Sequence, residues 1–194
     1  MNAIFDRVIR EFFPDTHIPH WKKWVFRAAF GNRIFSRLIN DERLIDKNGV
    51  HWVSSVIDFF NVRCETEYSD FNNIPRQGAT VVISNHPTVM DGIALIHTIA
   101  QVRKDIKIVA NHILPMIFPQ VAELTIGIEN MAGKMSHKKF REMNDHLKNG
   151  GVLIICPAGK LASWSLSGLQ EHQWNPGFLQ LAMRNNAALV PVHI

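Results

Sequence analysis

One short stretch of the sequence, residues 85–91, pairs a histidine with an aspartate in a spacing that suits general base catalysis. The α region is disfavoured for a residue before proline, so we expect His86, which precedes Pro87, to be extended at the end of a strand. Asp91 would then lie in the first turn of the helix that follows. From there its carboxylate can accept a hydrogen bond from one ring nitrogen of His86, which leaves the other nitrogen to take a proton from a substrate.

The same residues also allow a purely structural interpretation. Thr88 and Asp91 stand in the spacing of a helix-capping box, in which two side chains satisfy the free N–H groups at the start of a helix. A capping box would explain Asp91 without any chemistry. The sequence leaves both interpretations open.

The elements that must position this pair are short β-rich runs that alternate with helical stretches. Strands are predicted over residues 79–84, 106–110, 124–129, 152–156 and 188–194, and helices over 91–102, 136–148 and 176–185. This alternation predicts an α/β protein with a mainly parallel sheet flanked by helices. Functional residues of such sheets lie at the carboxyl ends of the strands, which selects the loops after Ser84, Glu129 and Cys156.

The start of the chain has a different composition, so we expect an N-terminal helical segment over residues 1–62 and a second domain over residues 63–194. Residues 17–39 predict an amphipathic helix with no acidic residue, whose basic side chains are Lys22, Lys23, Arg27, Arg33 and Arg37. Tryptophans on its apolar face are typical of an interfacial membrane anchor, but a helix packed on the domain behind a solvated basic face has the same pattern. A second amphipathic helix is predicted over residues 50–62 and is expected to pack on the second domain.

The composition excludes several classes of protein. Hydrophobic residues make up 46% and charged residues 20%, which excludes a disordered chain. The only two cysteines, Cys64 and Cys156, exclude a disulfide scaffold, and the ten histidines have no metal-binding spacing, so we expect no metal site. The net charge of +4 favours anionic partners, either a membrane surface or nucleic acid, without choosing between them. No nucleic-acid-binding motif accompanies the charge, so we expect no nucleic acid.

We expect the protein to work at the cytoplasmic face of a membrane without crossing it. Residues 1–10 contain Asp6, Arg7 and Arg10, which argues against a secretory signal. The longest uncharged apolar run, residues 108–122, is interrupted by Pro115 and Pro119 and is shorter than the ~20 residues that a membrane span needs.

Four segments, in chain order, resemble the sequence blocks of the lysophospholipid and glycerophospholipid acyltransferases. Residues 85–91 are similar to the N-H-x4-D motif of that family, and residues 128–130 (Ile-Glu-Asn) fall where it has its second block. Residues 155–160 (Ile-Cys-Pro-Ala-Gly-Lys) resemble the third block, and residues 190–194 (Val-Pro-Val-His-Ile) the fourth. The resemblance covers about residues 63–194 and implies an acyltransferase domain. Because family members usually continue beyond the fourth block, we expect this domain to be truncated at its C-terminus.

The resemblance implies a mechanism and a set of site residues. His86 would take a proton from the acceptor, which attacks an acyl thioester, and Asp91 would orient His86 and stabilise its charged form. Acyl-CoA or acyl carrier protein would be the co-substrate and a membrane lipid the acceptor, with no other cofactor and no acyl-enzyme on cysteine. The residues expected to bind substrate are Asn85, Glu129, Asn130, Pro157, Ala158, Gly159 and Lys160. For Lys160, an ordinary exposed loop lysine is an equally good interpretation.

Three positions depart from the family pattern. Ala158 stands where the family usually has glutamate, and Leu161 and Asn130 stand where it usually has arginine. The family residues are associated with a glycerol-phosphate acceptor, so their loss weakens the expectation of lysophosphatidic acid. The Pro-Ala-Gly form of the third block resembles the hemolysin-like branch, which includes ornithine-lipid acyltransferases. Two alternatives stay open: a non-catalytic lipid-binding or membrane-binding protein of the same fold, and an acyl-thioester hydrolase.

Overall fold

The computed structural model describes residues 38, 40–129, 136–165 and 168–194. The chain divides into two compact units, Met1–Lys47 and Asn48–Ile194. In the first unit, Asp41 caps helix α1 (Glu42–Ile45), because its Oδ1 accepts the backbone N–H of Arg43 at 3.0 Å. The amphipathic helix predicted over residues 17–39 lies outside the described residues except for Leu38, so it stays a prediction, as does a domain boundary at residue 62.

The second unit is built around a five-stranded sheet in which all neighbouring strands are parallel, in the order β3-β2-β4-β1-β7. The strands are β1 (Thr80–Ser84), β2 (Ile106–Asn111), β3 (Thr125–Ile128), β4 (Val152–Ile155) and β7 (Ala188–Val192), while β5 (Ser163–Ser165) and β6 (Gly168–Gln170) form a separate antiparallel hairpin. The predicted α/β fold with a mainly parallel sheet is confirmed.

Helices cover both faces of the sheet. The remaining helices are α2 (Gly49–Phe59), α3 (Asp91–Ile99), α4 (Ile113–Ile117), α5 (His137–Lys148) and α6 (Gly177–Arg184), with 3-10 turns at Tyr68–Asn73 and Pro119–Leu124. Side chains alternate along each strand, so Val81 and Ile83 join Met143 of α5 and Leu181 of α6 in one buried cluster. On the other face, α3 packs against β2 and β4, and α2 packs on α3, as the amphipathic pattern of residues 50–62 predicted.

The predicted elements of residues 79–194 are all present, with shifts at their ends. Helix α3 ends at Ile99 rather than residue 102, and Leu124 closes a 3-10 turn instead of opening β3. The β5–β6 hairpin has no counterpart among the predicted elements. Ser163, Trp164 and Ser165 alternate between polar and apolar, but each strand is only three residues long, shorter than the runs of four to eight residues that mark a strand.

One buried arginine ties together the amino ends of three adjacent strands. Arg103, 5% exposed, binds the Asp105 carboxylate with two hydrogen bonds of 2.8 and 2.6 Å. Its other donors reach the carbonyl oxygens of Pro75, Gly78 and Gly150 at 2.9, 3.1 and 2.6 Å. These residues lie just before β1, β2 and β4, so the guanidinium fixes the amino edge of the sheet.

Candidate active site

His86 and Asp91 meet at the carboxyl end of β1. His86 Nδ1 lies 3.0 Å from Asp91 Oδ2. The side chain of Asp91 is 2% exposed and that of His86 is 21% exposed, so a substrate can reach the imidazole while the carboxylate stays hidden. A carboxylate can only accept a hydrogen bond, so the proton of the neutral ring is assigned to Nδ1, which leaves the lone pair of Nε2 for a substrate.

The same carboxylate also fixes the turn between β1 and α3. Asp91 Oδ2 accepts the backbone N–H of Thr88 at 2.7 Å, and Thr88 Oγ1 donates to Asp91 Oδ1 at 2.5 Å. The Thr88 hydroxyl accepts in turn from the Met90 N–H at 3.2 Å. The carboxylate thus holds both the turn and the imidazole, but Thr88 does not cap the helix: the N-cap of α3 is Met90, which has no side-chain cap hydrogen bond.

The ionisation of Asp91 follows from these contacts. Burial by itself would raise the pKa of this carboxyl group, but the hydrogen bonds from His86 and Thr88 outweigh it and hold the pKa below its ordinary value. Asp91 is therefore a carboxylate at neutral pH. It can stabilise an imidazolium that forms when His86 takes up a proton.

Asn85 connects the site to the neighbouring strand β7. Its side-chain Nδ2 donates to the carbonyl of Ile194 at 2.9 Å, and its Oδ1 accepts the backbone N–H of Ile194 at 2.8 Å. The last regular pair of the two strands is Ser84 with Val192, so the amide extends this pairing beyond the end of β1. The substrate contact predicted for Asn85 stays a prediction, since the structure gives its amide to the backbone.

The loop after β4 lies against His86. Its Pro157 is buried, Ala158 and Gly159 are half-buried and Lys160 is exposed. Gly159 adopts the left-handed conformation (φ +64°) in a turn where its N–H donates to the Cys156 carbonyl at 3.0 Å. Two residues beyond Lys160, the N–H of Ala162 donates to the His86 carbonyl at 2.8 Å. The segment that directly follows the third block is thus bonded to His86, while the substrate contacts predicted for Pro157, Ala158, Gly159 and Lys160 stay predictions.

The second block lies farther away. Glu129 is exposed and follows β3, the edge strand that β2 and β4 separate from β1. Three strand spacings of ~4.8 Å put the two strands about 14 Å apart, so the sheet does not bring Glu129 next to His86. Asn130 lies outside the described residues.

Two residues of the site were not assigned a role from the sequence. Glu171 follows β6, and its Oε2 accepts the backbone N–H of His86 at 3.3 Å. Cys156 directly follows β4. Burial and the negative charges of Asp91 and Glu171 raise the pKa of its thiol to about 12. Cys156 is therefore a neutral thiol at physiological pH and a poor nucleophile. Glu171 carries no sequence signal, because 85 residues separate it from His86.

The arrangement is suited to moving a proton. It presents an imidazole that a buried carboxylate orients, next to a loop that can supply backbone N–H donors. Within the described ranges, no three His, Cys, Asp or Glu side chains cluster as a metal ion would need. The His86–Asp91 pair is the acid–base group of the site.

Comparison with known proteins assigns the chain to a family. A sequence-family model described as Acyltransferase matches residues 65–194, which include β1, the His86–Asp91 pair and the loop after β4. This chain belongs to the acyltransferase family. The prediction of an acyltransferase is thereby confirmed at the level of the family, while its assignment to a hemolysin-like branch stays a prediction.

Two curated relatives of this acyltransferase are both described as lyso-glycine lipid O-acyltransferases. The protein from Bacteroides thetaiotaomicron is 25% identical over 150 residues, which cover 76% of this chain and 54% of the relative. The protein from Phocaeicola vulgatus is 23% identical over 150 residues, which cover 76% of this chain and 52% of the relative. The chain thus spans about half the length of the curated relatives that it matches.

Proposed function

We propose that this acyltransferase moves a fatty acyl group from an acyl thioester to the hydroxyl of a lysolipid. The observation that carries the proposal is the His86–Asp91 contact of 3.0 Å at the carboxyl end of β1, inside the region that matches the family. Fatty acyl groups are supplied as thioesters of CoA or acyl carrier protein, and we expect one of these as co-substrate.

The chemistry can be written with the residues of the site. His86 Nε2 takes the proton of the acceptor hydroxyl while the oxygen attacks the thioester carbonyl carbon. Asp91 stabilises the resulting imidazolium through Nδ1. The tetrahedral intermediate then expels the thiolate, the C–S bond breaks, and Nε2 returns the proton to the leaving sulfur. The products are an ester and a free thiol, and no residue of the protein is acylated.

The charge that develops on the carbonyl oxygen needs hydrogen-bond donors. The loop after β4 is the nearest candidate, because it is already bonded to His86 through Ala162. The N–H of Gly159 is used in the turn with Cys156, so the amides of Ala158 and Lys160 are the better candidates in this loop. The ammonium group of Lys160 would add a positive charge near the same oxygen.

The acceptor we favour is a lysolipid with an amino-acid head group rather than lysophosphatidic acid. The names of both relatives point to a lyso-glycine lipid and to transfer onto oxygen. Ala158 and Leu161 agree with this choice, because they stand where phosphate-using members of the family have charged residues. A head group without phosphate does not need those charges.

We further propose that the protein works as a peripheral protein at the cytoplasmic face of a membrane. No described helix has both the length and the apolar composition to cross a bilayer. Large apolar side chains are exposed in the segments that follow β1, β2 and β4: Val89 is 72%, Met116 54% and Leu169 43% exposed. They lie at the same edge of the sheet as His86, so a bilayer at this edge would cover them and deliver a lipid acceptor to the histidine.

Activity measurements on the purified chain test the proposed function. Labelled palmitoyl-CoA and, separately, palmitoyl-acyl carrier protein are offered with lyso-glycine lipid, with lysophosphatidic acid or with no acceptor. We expect acylated lyso-glycine lipid as the product. The rate of its formation should fall by at least ~10²-fold in His86→Ala, as for other positioned general bases. Gln173→Ala, at an exposed position of the same loop region as Glu171, serves as control and should keep full activity.

The other outcomes identify the alternatives. Release of palmitate at the same rate with and without acceptor would indicate a thioester hydrolase. Binding to lipid vesicles without turnover of either donor would indicate a non-catalytic lipid-binding protein. Preference for lysophosphatidic acid would contradict the proposed acceptor, and a fully active, folded His86→Ala protein would contradict the mechanism.

A further inference from the structure

The backbone of His86 is held on both sides by one distant segment. Its N–H donates to Glu171 Oε2 at 3.3 Å, and its C=O accepts the N–H of Ala162 at 2.8 Å. Both partners belong to the excursion between β4 and α6. The peptide groups on either side of the proposed general base are thus fixed by a single structural unit.

The register of the β5–β6 hairpin explains why these two residues meet the histidine together. Ser163 pairs with Gln170 at the open end of the hairpin, so Ala162 and Glu171 are the next two residues opposite each other. The base of the excursion is closed where the Asn175 N–H donates to the Pro157 carbonyl at 3.0 Å. The hairpin therefore presents one backbone donor and one carboxylate side by side at its foot.

His86 has little else to hold its main chain. The parallel pairing of β1 with its neighbours ends at Ser84, and the side-chain amide of Asn85 is hydrogen-bonded to the backbone of Ile194. Pro87, which follows, has no N–H to donate. The Asp91 carboxylate fixes the ring of His86, but nothing in the ladder fixes the backbone that carries this ring.

We propose that Glu171 is a positioning residue that sets the place of His86 through its backbone N–H. The role rests on the proposed function of His86 as general base. Misplacing a catalytic group by ~1 Å can lower a rate by about 10²-fold, so a hydrogen bond to the backbone of the base bears directly on turnover. Glu171 acts on how often the ring is in line with the acceptor hydroxyl, not on the binding of the acceptor.

Two substitutions separate the hydrogen bond from the charge. Glu171→Ala removes the acceptor oxygen, whereas Glu171→Gln keeps an oxygen at the same reach and removes the charge. Gln173→Ala, exposed two residues away, is the matched control. Since Glu171 is an exposed loop residue, all three variants are expected to fold, which circular dichroism verifies.

Hydrogen exchange at the His86 amide measures its hydrogen bond to Glu171 without any substrate. Protein labelled with ¹⁵N-histidine gives one backbone signal for each of the ten histidines. We expect exchange at the His86 amide to be about tenfold faster in Glu171→Ala and unchanged in Gln173→Ala, since a hydrogen bond to a charged acceptor is worth a factor of ten or more. Glu171→Gln should restore most of the protection but not all of it, because a neutral oxygen is a weaker acceptor. Unchanged exchange in Glu171→Ala would overturn the proposal.

Steady-state kinetics measure the effect of this hydrogen bond on the reaction rate. With palmitoyl-CoA and lyso-glycine lipid, we expect kcat of Glu171→Ala to fall about tenfold at an unchanged KM for the lipid, with most of the rate restored in Glu171→Gln. A Gln variant that is as slow as the Ala variant, with normal amide exchange, would assign the effect to charge and contradict a positioning role. If the wild-type protein has no turnover, the proposed function fails, and amide exchange still decides whether Glu171 holds His86.

Discussion

Asp91 has two roles, since its carboxylate both orients the His86 ring and holds the turn at Thr88. Oδ2 is shared by the His86 ring and the Thr88 N–H, while Oδ1 takes the Thr88 hydroxyl. The side chain is buried, so each contact that is lost leaves a polar group without a partner. A residue of this kind has to be tested with substitutions that remove one role at a time.

Asp91→Asn and Thr88→Val separate the two roles. Asp91→Asn removes the charge that stabilises the imidazolium, and we expect kcat to fall by at least ~10²-fold. Thr88→Val removes the hydroxyl, which donates to Asp91 Oδ1 and accepts from the Met90 N–H, but leaves the Thr88 N–H. We therefore expect a loss of about 1 kcal/mol in unfolding free energy and a small effect on kcat. Steady-state rates and urea unfolding of both variants check this ranking, and the reverse ranking would reduce Asp91 to a helix cap.

Cys156 is predicted to be chemically silent. Because burial and the nearby carboxylates raise the pKa of its thiol to about 12, we expect Cys156→Ala to retain activity and the native thiol to resist maleimide at pH 7.5. Cys64, which is half-buried, provides the internal comparison in the same labelling experiment. Rapid labelling of Cys156 in the folded protein, or an inactive but folded Cys156→Ala, would reopen the question of an acyl-enzyme.

Among the secondary-structure elements, α5 carries a titratable contact to the sheet. The His146 ring, near the end of this helix, makes a 2.9 Å hydrogen bond between Nε2 and the Val152 carbonyl at the start of β4. Burial, with a smaller contribution from Lys107, holds the pKa of His146 below its ordinary value. The folded protein therefore keeps this ring neutral at a pH where the unfolded chain would protonate it.

The burial of the His146 ring, which outweighs the hydrogen bond to Val152 and lowers the pKa, predicts a loss of stability in mild acid. Below pH ~6.5 the unfolded state binds more protons at His146 than the folded state does, so the unfolding free energy falls as the pH falls. We expect His146→Gln to lose less stability than the wild type between pH 7 and 5, as measured by urea unfolding. His137→Gln, at the exposed start of the same helix, is the control and should follow the wild type. Parallel curves for wild type and His146→Gln would contradict the prediction.

Elements with local signals could be predicted from the sequence. The runs Val-Val-Ile in β1 and Val-Leu-Ile-Ile in β4 are continuous and apolar, as strands buried on both faces require, and the parallel order follows from the helices between them. The place of His86 could be predicted for the same reason, since Pro87 keeps it extended at the end of such a strand.

The contacts that depend on tertiary structure could not be predicted. Glu171 reaches His86 only because a polar hairpin folds back over the end of β1, and Asn85 is used by a residue 109 positions away. Arg103 is one of 21 basic residues, and only the fold reveals that its guanidinium is buried. Single charged or polar residues without periodicity carry no information on such partners.

In the unit Asn48–Ile194, the amino ends and the carboxyl ends of the strands carry different kinds of residues. At the amino edge, Arg103 uses its guanidinium donors on Asp105 and on three carbonyl groups, which joins the turns before β1, β2 and β4. The carboxyl ends carry the His86–Asp91 pair, and the segments that follow β1, β2 and β4 carry the exposed side chains of Val89, Met116 and Leu169. The fixed amino ends position the strands whose carboxyl ends carry the His86–Asp91 pair.

The proposed membrane contact predicts how the whole chain binds to anionic vesicles. The basic residues of segment 17–39 are expected to hold the protein on anionic vesicles, at on the order of 1 kcal/mol for each charge near the surface. Reversing Lys22, Lys23 and Arg27 to glutamate should therefore release the protein in a flotation experiment at low salt. Binding of the wild type should also weaken as salt rises, because the Debye length falls to ~3 Å at 1 M.

A matched reversal distinguishes a specific contact from net charge. Arg76, Lys104 and Lys148 are exposed near the amino edge of the sheet, and changing these three to glutamate alters the net charge by the same amount. We expect this control to float like the wild type, because the edge that carries it is opposite to the one that presents His86 and Val89.

If the Lys22, Lys23 and Arg27 variant still floats while Val89→Asp, Met116→Asp and Leu169→Asp together release the protein, the apolar side chains at the carboxyl edge make the contact and the N-terminal segment does not. If both triple charge reversals release it equally, attraction of the whole positive molecule, and not one surface, holds it on the membrane.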